Sequence, residues 1–125
     1  MSSISNPIFQ DFGKAISRLK EVLKLPKNDV NRDSAIKRFE IGFDLAWKSI
    51  KNYARVQGLE CYSPRECLKI AFQLRLTDDQ SGWLTMIDDR NLTVHFYSEK
   101  YAEEVYSRLN QHLRLFQKLL SKLEK

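Results

Sequence analysis

Glycine and proline are scarce in this chain of 125 residues, at four and three. That removes most of the turn-forming residues a many-stranded β fold requires. No basic run of five or six residues occurs, which argues against a disordered nucleic-acid-binding arm. No apolar stretch approaches the ~18 residues needed to span a bilayer. The polar start Met-Ser-Ser-Ile-Ser-Asn-Pro also lacks the basic and apolar regions of a secretory signal, so a cytoplasmic location without membrane association is expected. Cys61 and Cys67 are the only cysteines, and no histidine lies close enough in sequence to complete a four-ligand zinc site. Buried or reduced free thiols are expected there, with no metal and no cofactor.

Leu, Lys, Glu and Arg are plentiful, and their helix propensity predicts that about half the chain or more is helical. The length suits one domain over 1–125. The net charge of +5 is compatible with an anionic partner such as RNA. A charged fraction of 30% with both signs interspersed is equally an ordinary solvated surface.

Apolar residues at three-and-four spacing mark a first helix from Ile8 to Leu25, through Phe12, Ile16, Leu19 and Val22, which Pro26 ends. Residues 27–31 read as a loop. A second helix is expected from about Arg32 to Gln57, with Ile36, Phe39, Phe43, Ala46, Trp47 and Ile50 on one face and Gly58 as its stop. Ser63-Pro64-Arg65-Glu66 combines a serine cap, proline at the first helical position and a glutamate placed for a capping box. The third helix so begun carries Cys67, Leu68, Ala71 and Phe72. Residues 77–82 read as a loop or a frayed start, and a shorter fourth helix begins near Trp83. Ser98 caps a last helix with Ala102, Val105, Leu109, Leu113, Phe116 and Leu120 along its stripe. The pattern predicts an all-α antiparallel up-and-down bundle of four long helices plus a shorter accessory one, the fourth. Leu115 and Leu119 broaden the apolar stripe of the last helix and hint at a dimer.

The pattern breaks at a few polar positions. At about 100° per residue, Arg90 would share a narrow arc with Trp83, Ile87 and Val94 if the fourth helix continued. A guanidinium cannot be neutralised cheaply there, so it must meet a carboxylate, line a wet cleft or sit at a subunit interface. Glu40 falls inside the apolar arc of the second helix and is a natural partner, either as a structural ion pair or as a site residue. Asp44, at the edge of that arc, reads as a surface pair with Lys48. His95 lies about 140° from Arg90 on an ideal helix, so the two converge only if the chain bends or ends between Asn91 and Val94. Arginine offers a permanent forked donor for phosphate, and histidine exchanges protons near neutral pH. Together they could cleave RNA through its 2′-hydroxyl without a metal. Phe39, Phe43, Trp47 and Phe72 are expected in the core, and His112, Tyr101 and Tyr106 are expected to be structural.

The segment Arg90-Asn91-Leu-Thr-Val-His95-Phe-Tyr97 resembles the HEPN superfamily motif, an arginine followed after four to six residues by a histidine. The tyrosine two positions beyond the histidine resembles the HepT-type branch, also known as the nucleotidyltransferase substrate-binding protein family. The blocks Arg38-Phe39-Glu40, Phe43-Asp44, Trp47-Lys48, Ser63-Pro64-Arg65 and Trp83 to Asn91 extend the likeness over most of the chain. The resemblance implies a HEPN-like helical homodimer with Arg90 and His95 as catalytic residues and Asn91, Glu40 and Asp44 in support. It also implies a metal-independent ribonuclease toxin, neutralised when a nucleotidyltransferase of the MntA type attaches AMP to Tyr97. Two other readings stand beside it. One is a non-catalytic subunit that binds a nucleotide or substrate for a separate nucleotidyltransferase. The other is a structural helical dimer in which Arg90 merely pairs with Glu40.

Overall fold

A computed structural model describes residues 6–125; the first five residues of the polar start lie outside it. Asn6 caps helix α1 (Pro7–Leu23) by accepting from the Ile8 amide at 3.0 Å, and proline occupies the first helical position. Asn28 caps α2 (Asp29–Val56) through the Asn31 amide at 2.8 Å. The helix therefore starts three residues before the expected Arg32, because the polar stretch read as loop contains its cap. Ser63 caps α3 (Pro64–Gln73) through the Glu66 amide, while the Glu66 carboxylate accepts from Tyr62. The reciprocal bond of the capping box thus falls one residue upstream of the cap itself.

Helix α4 (Gln80–Leu92) begins at an Asp79 cap that accepts from Gly82 at 2.8 Å, drawing 80–82 into the helix. A 3₁₀ turn, Thr93–His95, follows directly. Ser98 then caps α5 (Glu99–Leu123), as its sequence predicts. Among the described residues there is no strand, and no helix is long and apolar enough to cross a membrane.

Side-chain pairs fix the helix directions. Asn6 donates to Asn52 at 2.7 Å, tying the start of α1 to the end of α2. Arg32 reaches Glu99 at 2.7 Å, so α2 and α5 start at the same end and run the same way. Trp83 packs toward Phe116 while Asp89 bonds Arg108, so α4 runs against α5. The result is an up-down-up-down bundle of α1, α2, α4 and α5. The accessory element is α3, with 10 residues against 13 in α4, and not the fourth helix as expected.

The core centres on Phe116. Its ring is hemmed in by Phe12 at 5.6 Å, Trp83 at 6.1 Å and Phe39 at 6.2 Å. At Gly42 a Cβ would meet Phe116 Cε2 at 2.8 Å, so α2 and α5 approach at the distance that a missing side chain permits. Leu115 and Leu119, at 8% and 1% exposure, are buried within the single chain, so they offer no dimer face. Phe72 also departs from expectation, with 44% of its surface exposed. The chain leaves α3 through a left-handed Arg75 (φ 60°), and Leu76 folds back to donate to the Ala71 carbonyl at 2.8 Å, filling the core in its place. Cys61 and Cys67 form a disulfide and are not free thiols. The Ser63-Pro64 turn brings their Cα atoms to 5.1 Å, inside the bridging range.

Candidate functional site at the end of α4

The α-helix terminates at Leu92, between Arg90 and His95, and a 3₁₀ turn carries the chain on to His95. After Leu92 the helix tightens, with the Phe96 amide bonding the Thr93 carbonyl at 3.2 Å and the Ser98 amide bonding the His95 carbonyl at 2.9 Å. Val94, His95, Phe96 and Tyr97 all project into solvent. Val94 thereby leaves the arc it would share with Trp83 and Ile87 on an unbroken helix.

Two small clusters flank this turn. In the first, Arg90 Nη1 donates to Thr93 Oγ1 at 3.2 Å and lies 3.9 Å from Glu40 Oε2. Thr93 Oγ1 stands 3.1 Å from that carboxylate and 2.7 Å from the Arg90 carbonyl. One hydroxyl proton serves one of these acceptors at a time, so Thr93 can alternate between them. The Arg90 side chain is 35% exposed, so it is not enclosed by its own subunit. Its place in the last turn also suits a cation, because the unpaired carbonyls there carry partial negative charge.

In the second cluster the His95 Nδ1 and the Tyr97 hydroxyl are 3.0 Å apart. The His95 ring also lies 6.0 Å from that of Tyr101. With Nδ1 engaged, Nε2 is the nitrogen left to face a substrate. Among the described residues no hydrogen bond joins Arg90 to His95. Asn91 is exposed beside Arg90, and Asp44 forms an exposed pair with Lys48 at 3.0 Å, one turn from Glu40. No cluster of three or more His, Cys, Asp or Glu with metal-site geometry occurs among the described residues.

Residues 8–125 match the family described as nucleotidyltransferase substrate binding protein like. The chain belongs to this family. It is the HepT-type family that the Arg90 to Tyr97 segment resembles. A relative named probable ribonuclease HepT, from Haemophilus influenzae, is 29% identical over 84 residues, covering 63% of this chain. The chain spans 58% of that relative's length. A crystal structure from Thermus thermophilus superposes with a TM-score of 0.86 at 38% identity, covering 91% of this chain and 99% of that one. A Haemophilus influenzae structure, described as the substrate-binding domain of a nucleotidyltransferase, has the same fold. Its TM-score is 0.83 at 22% identity, covering 94% of this chain and 99% of that one.

Directly behind Arg90, this HepT-type chain holds a polar cluster that the sequence reading missed. Asp89 is 1% exposed; its Oδ1 accepts from Arg108 Nη2 at 2.6 Å, and its Oδ2 accepts from Arg108 Nε at 2.8 Å and lies 2.7 Å from His112 Nε2. Burial alone would raise the Asp89 carboxyl, but the bonds from Arg108 and His112 outweigh it and hold the group below its ordinary value. Asp89 in turn holds the Arg108 guanidinium more firmly protonated. His112 stacks on Phe39 with ring centroids 5.1 Å apart, and this buried role agrees with its structural assignment. A signal was available: Trp83, Met86, Asp89 and Thr93 recur at three-and-four spacing. Adjacent Met86 and Ile87 left the centre of the buried arc ambiguous.

At the start of α5, buried Arg32 bonds Glu99 at 2.7 Å and Glu103 at 2.9 Å. The Arg32 bond holds the Glu99 carboxyl below its ordinary value, and the Lys27 contact at 2.6 Å, followed by the Arg32 bond, does the same for Glu103. The network pins the helix that follows Tyr97.

Proposed function

We propose that the chain is a HepT-type, metal-independent endoribonuclease whose reacting groups are Arg90 and His95. The observation that carries this reading is the 3₁₀ turn after Leu92, which takes His95 off the helical path and leaves Arg90 partly exposed at the helix end. In the reaction the substrate 2′-hydroxyl attacks the adjacent phosphorus and the 5′-oxygen departs. Histidine transfers the protons, and Arg90 neutralises charge on the phosphorane-like transition state. One proton must be removed and another delivered, whereas each chain supplies one imidazole at this segment. A homodimer that sets two such segments across one cleft provides both. Glu40 orients Arg90 through Thr93; Asn91 offers a further donor to the RNA, and Asp44 adjusts charge one turn away.

Tyr97 is the proposed control point. A partner nucleotidyltransferase of the MntA type would join its hydroxyl oxygen to the α-phosphate of ATP, with pyrophosphate leaving. The ester replaces the hydroxyl proton that can bond His95, and it places a negative phosphate where RNA phosphate must enter. The chain would then be the toxin of a toxin–antitoxin pair.

The description of the family as substrate binding favours a second reading, a non-catalytic subunit that holds a nucleotide or substrate for the partner enzyme. Purified protein incubated with RNA and EDTA separates the two. Cleavage that disappears in His95→Ala supports the ribonuclease, whereas undiminished cleavage by that variant rejects the assignment. Labelled ATP plus the partner should mark wild type but not Tyr97→Phe.

A further inference from the structure

A second charged feature lies toward the other end of α5. Arg114, Lys118 and Lys122 recur every four residues and form one exposed row. Across from it stands Arg75, at the turn that ends α3. Two adjoining grooves of about 490 and 630 Å³ share Lys118 and Leu115 in their walls, and Phe72 lines the larger one. The acids here are Asp78 and Asp79, and Asp79 is engaged in capping α4. Among the described residues none of the four cations forms an ion pair. Elsewhere Lys27, Arg32, Lys48, Arg65 and Arg108 do, whereas cations such as Lys14, Arg18 and Arg38 likewise form none.

Two departures from ordinary folding practice coincide at these grooves. Phe72 keeps 44% of its surface in water although it lies on the helix beside a buried face. Arg75 takes the left-handed conformation (φ 60°) at a helix end where glycine is the usual residue. An arginine there forgoes the relaxation that glycine would offer, and what it gains is a cation at the groove's rim.

We propose that this face is a single-stranded RNA track, in which Arg75, Arg114, Lys118 and Lys122 hold successive phosphates and Phe72 stacks a base. Cations following a groove beside an exposed aromatic ring match the chemistry of sequence-tolerant single-strand binding. Lys118 lies about 30 Å along α5 from Ser98, taking ~1.5 Å of rise per residue, so the track would engage RNA well away from the bond being cut. The proposal rests on the ribonuclease reading for its ligand, and its test is separable from that reading.

Binding is measured in the His95→Ala background with a fluorescent single-stranded RNA dodecamer, where cleavage plays no part. Lys118→Gln/Lys122→Gln should weaken binding and lower the slope of log K against log salt by about 1.4, at ~0.7 per phosphate contact. Phe72→Ala should weaken it about ten-fold. Arg75→Gly is the decisive variant: it relieves the backbone, so its melting temperature should hold or rise while RNA affinity falls. Unchanged affinity in Arg75→Gly and in the double glutamine variant overturns the track, even if His95→Ala has abolished cleavage. Variants that keep RNA affinity but lose the purified nucleotidyltransferase would make this a protein-docking face and equally overturn it. If wild type cleaves nothing while the track variants still lose RNA affinity, the track stands and the ribonuclease reading falls.

Discussion

Asp89 and Arg90 are neighbours in sequence and opposites in circumstance. Asp89 is buried, doubly bonded by Arg108 and faced by His112 across 2.7 Å. Arg90 touches one hydroxyl at 3.2 Å and a carboxylate at 3.9 Å, with a third of its side chain in water. A buried charge whose bonds are all made is fixed in place, because losing any partner strands the others. A charge with a few long contacts can exchange them for a substrate. The helix end is thus clamped by one residue, while the next keeps contacts it can exchange.

The sharpest way to break this comparison is at the exposed side. His95→Ala should lower RNA cleavage by roughly 10²–10⁴-fold, the usual worth of a positioned acid–base group. Its thermal unfolding should scarcely move, because the residue is exposed. Asp89→Asn should behave in the reverse sense and destabilise by about 3 kcal/mol in urea, since the Arg108 and His112 partners remain in place. The same contrast can be drawn by pH. Asp89 is depressed in the folded state from its ordinary 3.8, so its contribution is complete above about pH 4 and is lost as pH falls toward the lower folded value. Wild type should therefore lose melting temperature more steeply than Asp89→Asn as pH falls below about 4.

A finer probe is Glu40→Gln, which keeps the shape of the Thr93 contact but removes the charge facing Arg90. Cleavage should fall roughly ten-fold through misplacement of the guanidinium, with a small change in stability. The smallest effect is expected at Asp44→Asn. Its pair with Lys48 is half exposed on both sides, and unfolding should shift by less than ~0.5 kcal/mol. A large loss of cleavage with unchanged folding would instead make Asp44 a direct contributor.

Buried Arg32 gives the comparison a control. Its partners Glu99 and Glu103 are 73% and 44% exposed, so removing the arginine lets them rehydrate. Arg32→Met should lower the melting temperature by less than half as much as Asp89→Asn.

Much of the fold was legible because periodicity and caps agree: Ser63, Ser98 and the long stripe of α5 all act as their sequence predicts. Less legible was anything set by tertiary packing. Asn28 and Asp79 extend their helices upstream because a capping bond depends on local geometry that composition does not show. Leu115 and Leu119 read as surplus because the partners that cover them come from distant parts of the chain. At the site, Arg90 drew notice by interrupting an apolar arc, and the α-helix does end between it and His95, in a 3₁₀ turn. Asp89 stayed hidden because an acid next to another acid, Asp88, reads as solvated surface until Arg108 and His112 are seen behind it.

Gly42 has a consequence beyond close packing. Phe116 is walled in by three other rings, so a methyl group at Gly42 cannot be absorbed by swinging the phenyl ring aside. The strain would spread α2 from α5, and Glu40 sits only two residues upstream. A Gly42→Ala substitution is therefore expected to alter how far the Glu40 carboxylate stands from Thr93. A substitution deep in the core would then be felt at the end of α4 as a changed Arg90–Glu40 separation.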